Sequence, residues 1–340
     1  MKDQICLVPK LSGLGGMVSF QAKLIQGLTA RGLPYTFDLS DHQNTAILII
    51  GGTRQLLKVW RAKRRGVRLY QRLNGMNWMH RVEKTSLRLA VKAEANNLTL
   101  AFIRRTLADG IIYQSGFSQN WWDQVYGQAG VPTHVVFNGV DLGQYSPEGK
   151  GAPPEDHYQI LLVEGHLTGS YARGVETGVR LVRSLQEKAE KPVELVVVGE
   201  ASKSLISRIK SQSDVWVTWR GVVPRGEIPS IDRSAHLLFS TDLNAACPNS
   251  VIEALACGTP VLAYDTGALK ELVQEGSGRV VPYGTDHWQL KAPLIEPLAE
   301  ACLDILHNNP KYREKARQHA ESAFDLDQMV EGYLAAMEVG

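Results

Sequence analysis

The chain reads as a two-domain α/β protein, and three observations carry that reading. Apolar strand patterns alternate with helical ones through residues 5–137, which favours a parallel sheet, and the alternation starts afresh at Tyr158. Between the two stretches, Ser146-Pro147-Glu148-Gly149-Lys150-Gly151-Ala152-Pro153-Pro154 is rich in proline and glycine and has no apolar period, so a domain boundary falls there. A length of 340 residues with 44% apolar content is enough for two cores. Charge divides at the same place. Residues 1–150 hold 19 basic and 9 acidic side chains and residues 151–340 hold 18 and 26, so a net charge of +2 conceals halves of +10 and −8.

In the first half, Ile5 to Pro9 reads as a strand, and Met17, Phe20, Leu24, Ile25 and Leu28 recur at helical spacing until Arg31-Gly32 ends the helix. The loop between them, Leu11 to Gly16, brings bare backbone at Gly15 and Gly16 to a helix N-terminus, which suits a phosphate or a sugar passing close to the chain. It lacks the spacing of a dinucleotide fingerprint. Further strands fall at Tyr35–Leu39, Ala46–Ile50, Val67–Leu73, Gly110–Gln114 and His134–Phe137. Asn74 follows a strand end, where ligands of open α/β sheets collect, although Asn-Gly is also an ordinary turn signal. His80 nearby reads first as structural.

The basic excess concentrates at Arg54, Lys58, Arg61, Lys63, Arg64, Arg65, Arg68 and Arg72, interleaved with Trp60 and Tyr70. Such a patch suits anionic lipid, nucleic acid or acidic glycan, and its plain alternative is a solvated helix face. No run of about 18 apolar residues is present and the N-terminus has no apolar signal core, so a cytoplasmic protein without membrane spans is expected. Cys6, Cys247, Cys257 and Cys302 show no metal or redox spacing.

The second half opens with Tyr158 to Glu164 as a strand, then Gly165 to Gly174 as a loop fit for phosphate, then a helix over Val175–Glu190. Strands at Val193–Val198, Val215–Arg220 and Leu237–Ser240 lead to Asn244–Glu271, where turn, helix, strand and turn follow without slack. Within that stretch Glu253 is a lone carboxylate in an apolar helix, and a buried carboxylate needs a partner. A ribose would satisfy both its oxygens while the free N–H groups of Asn249, Ser250 and Val251 suit a phosphate. A core arginine would satisfy Glu253 equally well, with the helix capping itself. Helical patterns at Leu298–His307, Tyr312–Ala323 and Leu326–Glu338 complete the chain.

The run Glu253, Gly258-Thr259-Pro260-Val261 and Asp265-Thr266-Gly267-Ala268 through Glu271 resembles the donor-binding motif of the retaining glycosyltransferases of family 4. Asn138-Gly139-Val140-Asp141 is similar to the turn that closes the first domain in that family. The resemblance implies the GT-B architecture: two Rossmann-like domains facing each other across a cleft, with the acceptor side in 1–150, the donor side in 151–320 and a helix at 321–340 returning to the first domain. It implies a nucleotide-sugar as co-substrate, no metal, and a glycan, lipid-linked or small-molecule acceptor, as in cell-surface glycan biosynthesis. Nucleic acid is not an expected partner, and peripheral contact with an anionic membrane at the inner face is. Arg173 takes the place of a lysine that serves the diphosphate, and would stabilise the leaving group. Two positions depart from the family: His166 stands where an arginine is usual, and Ala245 where a first glutamate handles the donor sugar. Asp325-Leu326-Asp327 superficially matches a metal-binding DxD, but Asp327 reads better as an N-cap. A nucleotide-sugar epimerase or hydrolase, or a nucleotide-binding relative without transferase activity, are the alternatives.

Overall fold

In the computed structural model, which describes residues 3–13, 15–212 and 214–339, the chain separates into two compact units. Leu14 of the glycine loop lies outside the described residues. The first unit comprises Met1–Gly139 and Leu326–Gly340, and the second Val140–Asp325.

Along the first unit run β1 (Gln4–Val8), α1 (Gly16–Ala30), β2 (Tyr35–Thr36), β3 (Asn44–Ile50), α2 (Leu56–Arg64), β4 (Arg68–Leu73), α3 (Leu87–Phe102), β5 (Gly110–Tyr113), α4 (Gly116–Tyr126) and β6 (Thr133–Val135). The strands form a sheet in the order β2-β1-β3-β4-β5-β6, every pairing parallel. Parallel strands buried on both faces need apolar side chains on both, which is why Ile5 to Val8 and Ala46 to Ile50 read as unbroken apolar runs.

The second unit contains β7 (Tyr158–Leu167), α5 (Ser170–Leu185), β8 (Val193–Ala201), α6 (Lys203–Gln212), β9 (Trp216–Gly221), α7 (Ile228–Ser234), β10 (Leu237–Ser240), α8 (Asn249–Ala256), β11 (Val261–Tyr264), α9 (Leu269–Leu272), β12 (Gly278–Val281), α10 (Glu296–His307) and α11 (Asn309–Ala323). Its parallel sheet has the order β12-β11-β10-β7-β8-β9. The chain runs outward from β7 to β9 and then returns to the other side of β7. That reversal puts a crevice at the carboxyl ends of β7 and β10, where the helices that follow each strand diverge. The edge strand β12 went unread in the sequence, because Gly278-Arg279-Val280-Val281 carries too little apolar signal.

The units part at Gly139/Val140 and Asp325/Leu326, not at 150/151 and 320/321. Hydrogen bonding explains the earlier break. Tyr145 is buried, Arg317 donates to the carbonyls of Leu142, Tyr145 and Ala256, and Arg233 donates to those of Ser146 and Lys150, so the proline- and glycine-rich stretch is fastened to the second unit. The two crossing points lie side by side, with the Val140 N–H donating to the Phe324 carbonyl at 2.8 Å.

The last helix, α12 (Leu326–Met337), packs in the first unit against α1. Phe20 and Tyr333 meet with ring centroids 4.9 Å apart, and Gly27 gives the close approach, since a Cβ there would lie 2.3 Å from Cγ2 of Val330. Asp327 falls within the helix's first turn and is not its N-cap; its Oδ1 accepts from Arg31 at 2.9 Å. Arg72, counted from sequence among the exposed basic residues, is buried. Its Nε donates to the Tyr333 hydroxyl, Nη1 to Asn74 Oδ1 and Nη2 to Asn138 Oδ1, and its guanidinium lies 3.8 Å from the centroid of Phe20.

Because Gly27 has no room for a side chain, Gly27→Val is expected to force α12 away from α1 and destabilise the first unit by about 1–3 kcal/mol, the usual cost of overpacking. Thermal unfolding followed by circular dichroism measures it, and an unchanged midpoint would mean that α12 contributes little to that unit.

Candidate active site

At the carboxyl edge of the second sheet, sequence and topology converge on the start of α8. Pro248 precedes the helix, no side chain caps it and no acidic residue occupies its first turn. The N–H groups of Asn249, Ser250 and Val251 therefore point outward without partners among the described residues, at the positive end of the helix dipole. Around them lies a group of unsatisfied polar side chains. Asn244 is only 4% exposed, yet neither its amide oxygen nor its nitrogen has a partner. The same holds for the hydroxyls of Ser240, Thr241 and Thr266 and for Oδ1 of Asn249. A buried polar group without a partner costs roughly 1–3 kcal/mol, so a cluster of them marks a place built to be filled by a polar ligand or by water.

Backbone geometry fixes this pocket. Asn244 adopts φ 58°, and Gly267 has φ 61° where a Cβ would lie 2.5 Å from the Ala245 nitrogen, so only glycine fits. The Ala268 N–H donates to the Ala245 carbonyl at 2.9 Å, which holds the loop after β10 against the loop after β11. Ala245 is itself buried.

Glu253 lies on α8, nearly buried. Arg225 Nη2 stands 3.9 Å from its Oε1, a charge contact longer than a hydrogen bond. Its charge is felt nearby: burial and then Glu253 push the Asp232 carboxyl well above its ordinary range, and the same two causes raise the Tyr145 phenol. An arginine thus stands near Glu253 without a close ion pair to it.

The stretch 165–174, expected as a loop, is mostly regular. β7 continues to Leu167 and α5 begins at Ser170, because strand pairing with β8 resumes at His166 and Leu167 after an irregularity. Arg173 consequently sits in the first turn of α5, and its Nη1 donates to the Leu290 carbonyl at 2.9 Å. His166 is exposed and bonds Glu200 Oε2 through Nδ1 at 2.8 Å. Sequence reasoning missed a further group here: Glu164 in β7, Asp242 just beyond β10 and Tyr171 in α5, where Tyr171 and Asp242 are hydrogen-bonded. No sequence signal joins them, since Glu164 and Asp242 belong to segments far apart in the chain.

In the first unit, Gly15 precedes α1 with φ 122°, a Cβ there would meet nothing within 4 Å, and Gly16 opens the helix, which has no capping side chain and no acidic residue in its first turn. Asn74 is engaged on both sides: Oδ1 accepts from Arg72 and its carbonyl accepts from Trp122 Nε1 at 2.7 Å. His80 bonds Glu94 at 2.8 Å, which fits a structural role. All four cysteines are free and buried. Among the described residues, no group of three or more His, Cys, Asp or Glu side chains is placed to hold a metal ion.

Comparison with known proteins places the chain among described relatives. The chain is 26% identical over 297 residues to a lipopolysaccharide core biosynthesis mannosyltransferase of Rhizobium leguminosarum bv. viciae, covering 81% of this chain and 79% of that protein. It is 25% identical over 221 residues to a GDP-mannose-dependent alpha-(1-6)-phosphatidylinositol dimannoside mannosyltransferase of Mycobacterium tuberculosis, covering 63% of this chain and about half (53%) of that relative. The fold is similar to that of Anabaena HepE solved in complex with UDP-glucose, at TM-score 0.72 and 15% identity over 98% of this chain and 99% of that one. The family described as glycosyl transferases group 1 matches residues 151–323, just over half of the chain and nearly the whole second unit. The protein belongs to that family, and it is a glycosyltransferase with the two-domain α/β GT-B fold.

Proposed function

We propose that this glycosyltransferase is a retaining enzyme of family 4 that takes a sugar from a nucleotide-sugar donor held on the second unit. The uncapped start of α8, ringed by unpartnered buried polar groups, carries this reading. In it, the N–H groups of Asn249, Ser250 and Val251 bind the diphosphate, Arg173 neutralises charge on the leaving group after exchanging its carbonyl partner, and Glu253 accepts from the ribose hydroxyls. His166 contributes a ring N–H to the diphosphate. Gly15, Gly16 and Asn74 serve the acceptor side. The departing phosphate takes the acceptor's proton on the face it leaves, so the protein supplies positioning and charge stabilisation and no metal. With a buried methyl at Ala245, one contact to the sugar hydroxyls is missing, and deoxy or otherwise modified donors are tolerated.

The acceptor in this reading is a glycan or lipid-linked glycan of the cell surface, in line with the mannosyltransferase relatives' names. The outer surface of the first unit supports lipid contact. In α3 only Asn97 and Leu100 are buried, while Leu87, Val91, Leu98 and Phe102 recur along one exposed stripe flanked by exposed Arg88 and Lys92. On α2, Leu57 and Trp60 are exposed beside Lys58, Arg61 and Arg64. Lys63 and Arg68 are committed to Asp109 and Glu338, and Arg65 to the Leu39 carbonyl, so the usable basic patch is smaller than the sequence suggests. No helix among the described residues is long and apolar enough to cross a membrane.

Three outcomes test this. Glu253→Gln is expected to weaken nucleotide binding by about 1–3 kcal/mol with the fold retained, and equal binding by calorimetry would leave Glu253 as a core residue. Arg173→Ala should lower turnover far more than affinity for the free nucleoside; equal losses for nucleoside and nucleoside diphosphate would remove its phosphate role. Vesicles containing anionic lipid should co-sediment the protein at low salt and release it at high salt, since each basic residue near such a surface contributes about 1 kcal/mol. Absence of sedimentation at low salt would reduce α2 and α3 to solvated surface.

A further inference from the structure

Glu164 and Asp242 stand where an anion is expected and where a negative charge is least welcome. β7 and β10 are direct neighbours in the sheet, with Leu237 beside Ile160 and Leu238 beside Leu161. Glu164 lies at the irregularity of β7 between Val163 and His166, and Asp242 two residues beyond the end of β10. Both carboxyls therefore flank the crevice into which the N-termini of α5 and α8 open. The first turn of α5 is close by, since a Cβ on Gly174 would lie 2.5 Å from the hydroxyl oxygen of Thr241. The same strand end carries the unpartnered Ser240 and Thr241 hydroxyls and the buried, unpartnered Asn244 amide, an independent sign that a polar ligand belongs here.

We propose that Glu164 and Asp242 hold one proton between the two of them in the free enzyme in mildly alkaline solution and take up a second from solvent when the donor's diphosphate enters, so that they meet it as hydrogen-bond donors and not as anions. This rests on the donor reading above and extends it to two residues that reading does not use. Physical chemistry leaves few alternatives at this spot. Two neighbouring carboxylates resist ionising together, and an incoming diphosphate adds further negative charge. Burial, and then the neighbouring Asp242, hold the Glu164 carboxyl well above its ordinary range; burial pushes Asp242 up to about 7 against the opposing hydrogen bond from Tyr171. Tyr171 is itself pushed up, first by the Asp242 charge, then by burial and by Glu164. The surrounding charged groups are turned elsewhere: Arg173 donates to the Leu290 carbonyl, and His166 pairs with Glu200. Among the described residues neither carboxylate forms an ion pair.

The sign follows from linkage. Binding raises the affinity of the pair for protons, so donor affinity is highest below about pH 7, where both carboxyls are already protonated, and falls above it, where one proton must be drawn from solvent. The loss approaches tenfold per pH unit. UDP-glucose and GDP-mannose are suitable probes, because their diphosphate bridges carry no group that titrates near neutrality. Calorimetry in two buffers of different ionisation enthalpy should show uptake approaching one proton at pH 8 and little at pH 6. Asp242→Asn should abolish both the uptake and the pH dependence. Tyr171→Phe, which removes the hydrogen bond that favours ionised Asp242, should keep the uptake and move its onset to higher pH. Binding without proton uptake at pH 8, or uptake unchanged in Asp242→Asn, would overturn the proposal and leave the donor reading standing. Failure of both nucleotide sugars to bind would overturn the donor reading and this proposal together.

Discussion

A guanidinium buried without a carboxylate is the constraint on which the first unit depends. Burying a charge is tolerable only when its hydrogen-bonding groups are met, and Arg72 meets neutral partners drawn from distant parts of the chain. Asn74 belongs to the turn after β4, Asn138 to the segment just before the chain leaves the unit, and Tyr333 to the helix that returns. Each hydrogen bond to a charged group is worth about 1.5–3 kcal/mol, and the Phe20 face adds a cation–π contact. Displacing any one of these segments strands a buried charge, so the turn that carries Asn74, the exit of the chain and the placing of α12 are settled by one side chain. The second unit uses the opposite device. There the polar groups of Ser240, Thr241, Asn244 and Thr266 are left unmet by the protein itself, which stores a cost that a bound ligand relieves.

The two units thus differ in how their buried polar groups are met. In the first unit the polar groups around Arg72 are met by Tyr333, Asn74 and Asn138. The second unit keeps an unsatisfied pocket at the head of α8, bounded by the Gly267 turn and by α5. The sheet reversal between β7 and β10 explains why the acids at Glu164 and Asp242 can matter at all: on strands apart in the sheet they would be independent surface carboxylates.

Much of this was legible in sequence because parallel strands buried on both faces leave continuous apolar runs, and because turn, helix and strand at Asn244–Glu271 follow so closely. What escaped reading did so for identifiable reasons. β12 is held by pairing with β11 more than by its own apolar content. Arg72 looked like one more member of a basic stretch, since composition does not say which residues of a strand point into a core. Arg173 appeared to lie in a loop because Gly165, Gly169 and Gly174 suggest one, yet pairing with β8 extends the strand and the helix begins ahead of Gly174. The acid pair was invisible because Glu164 and Asp242 belong to segments far apart in the chain, joined only by topology.

The placement of α12 has a consequence for biosynthesis. Leu326 to Gly340 completes the first unit, but it is made only after the whole of the second, Val140 to Asp325, has been translated. Phe20, Leu24 and Leu28 share a core with Met329, Val330, Tyr333 and Met337, so the face of α1 stays uncovered until the continuous second unit has been made. The order of folding is thereby the reverse of the order of synthesis: the domain that emerges first is finished last.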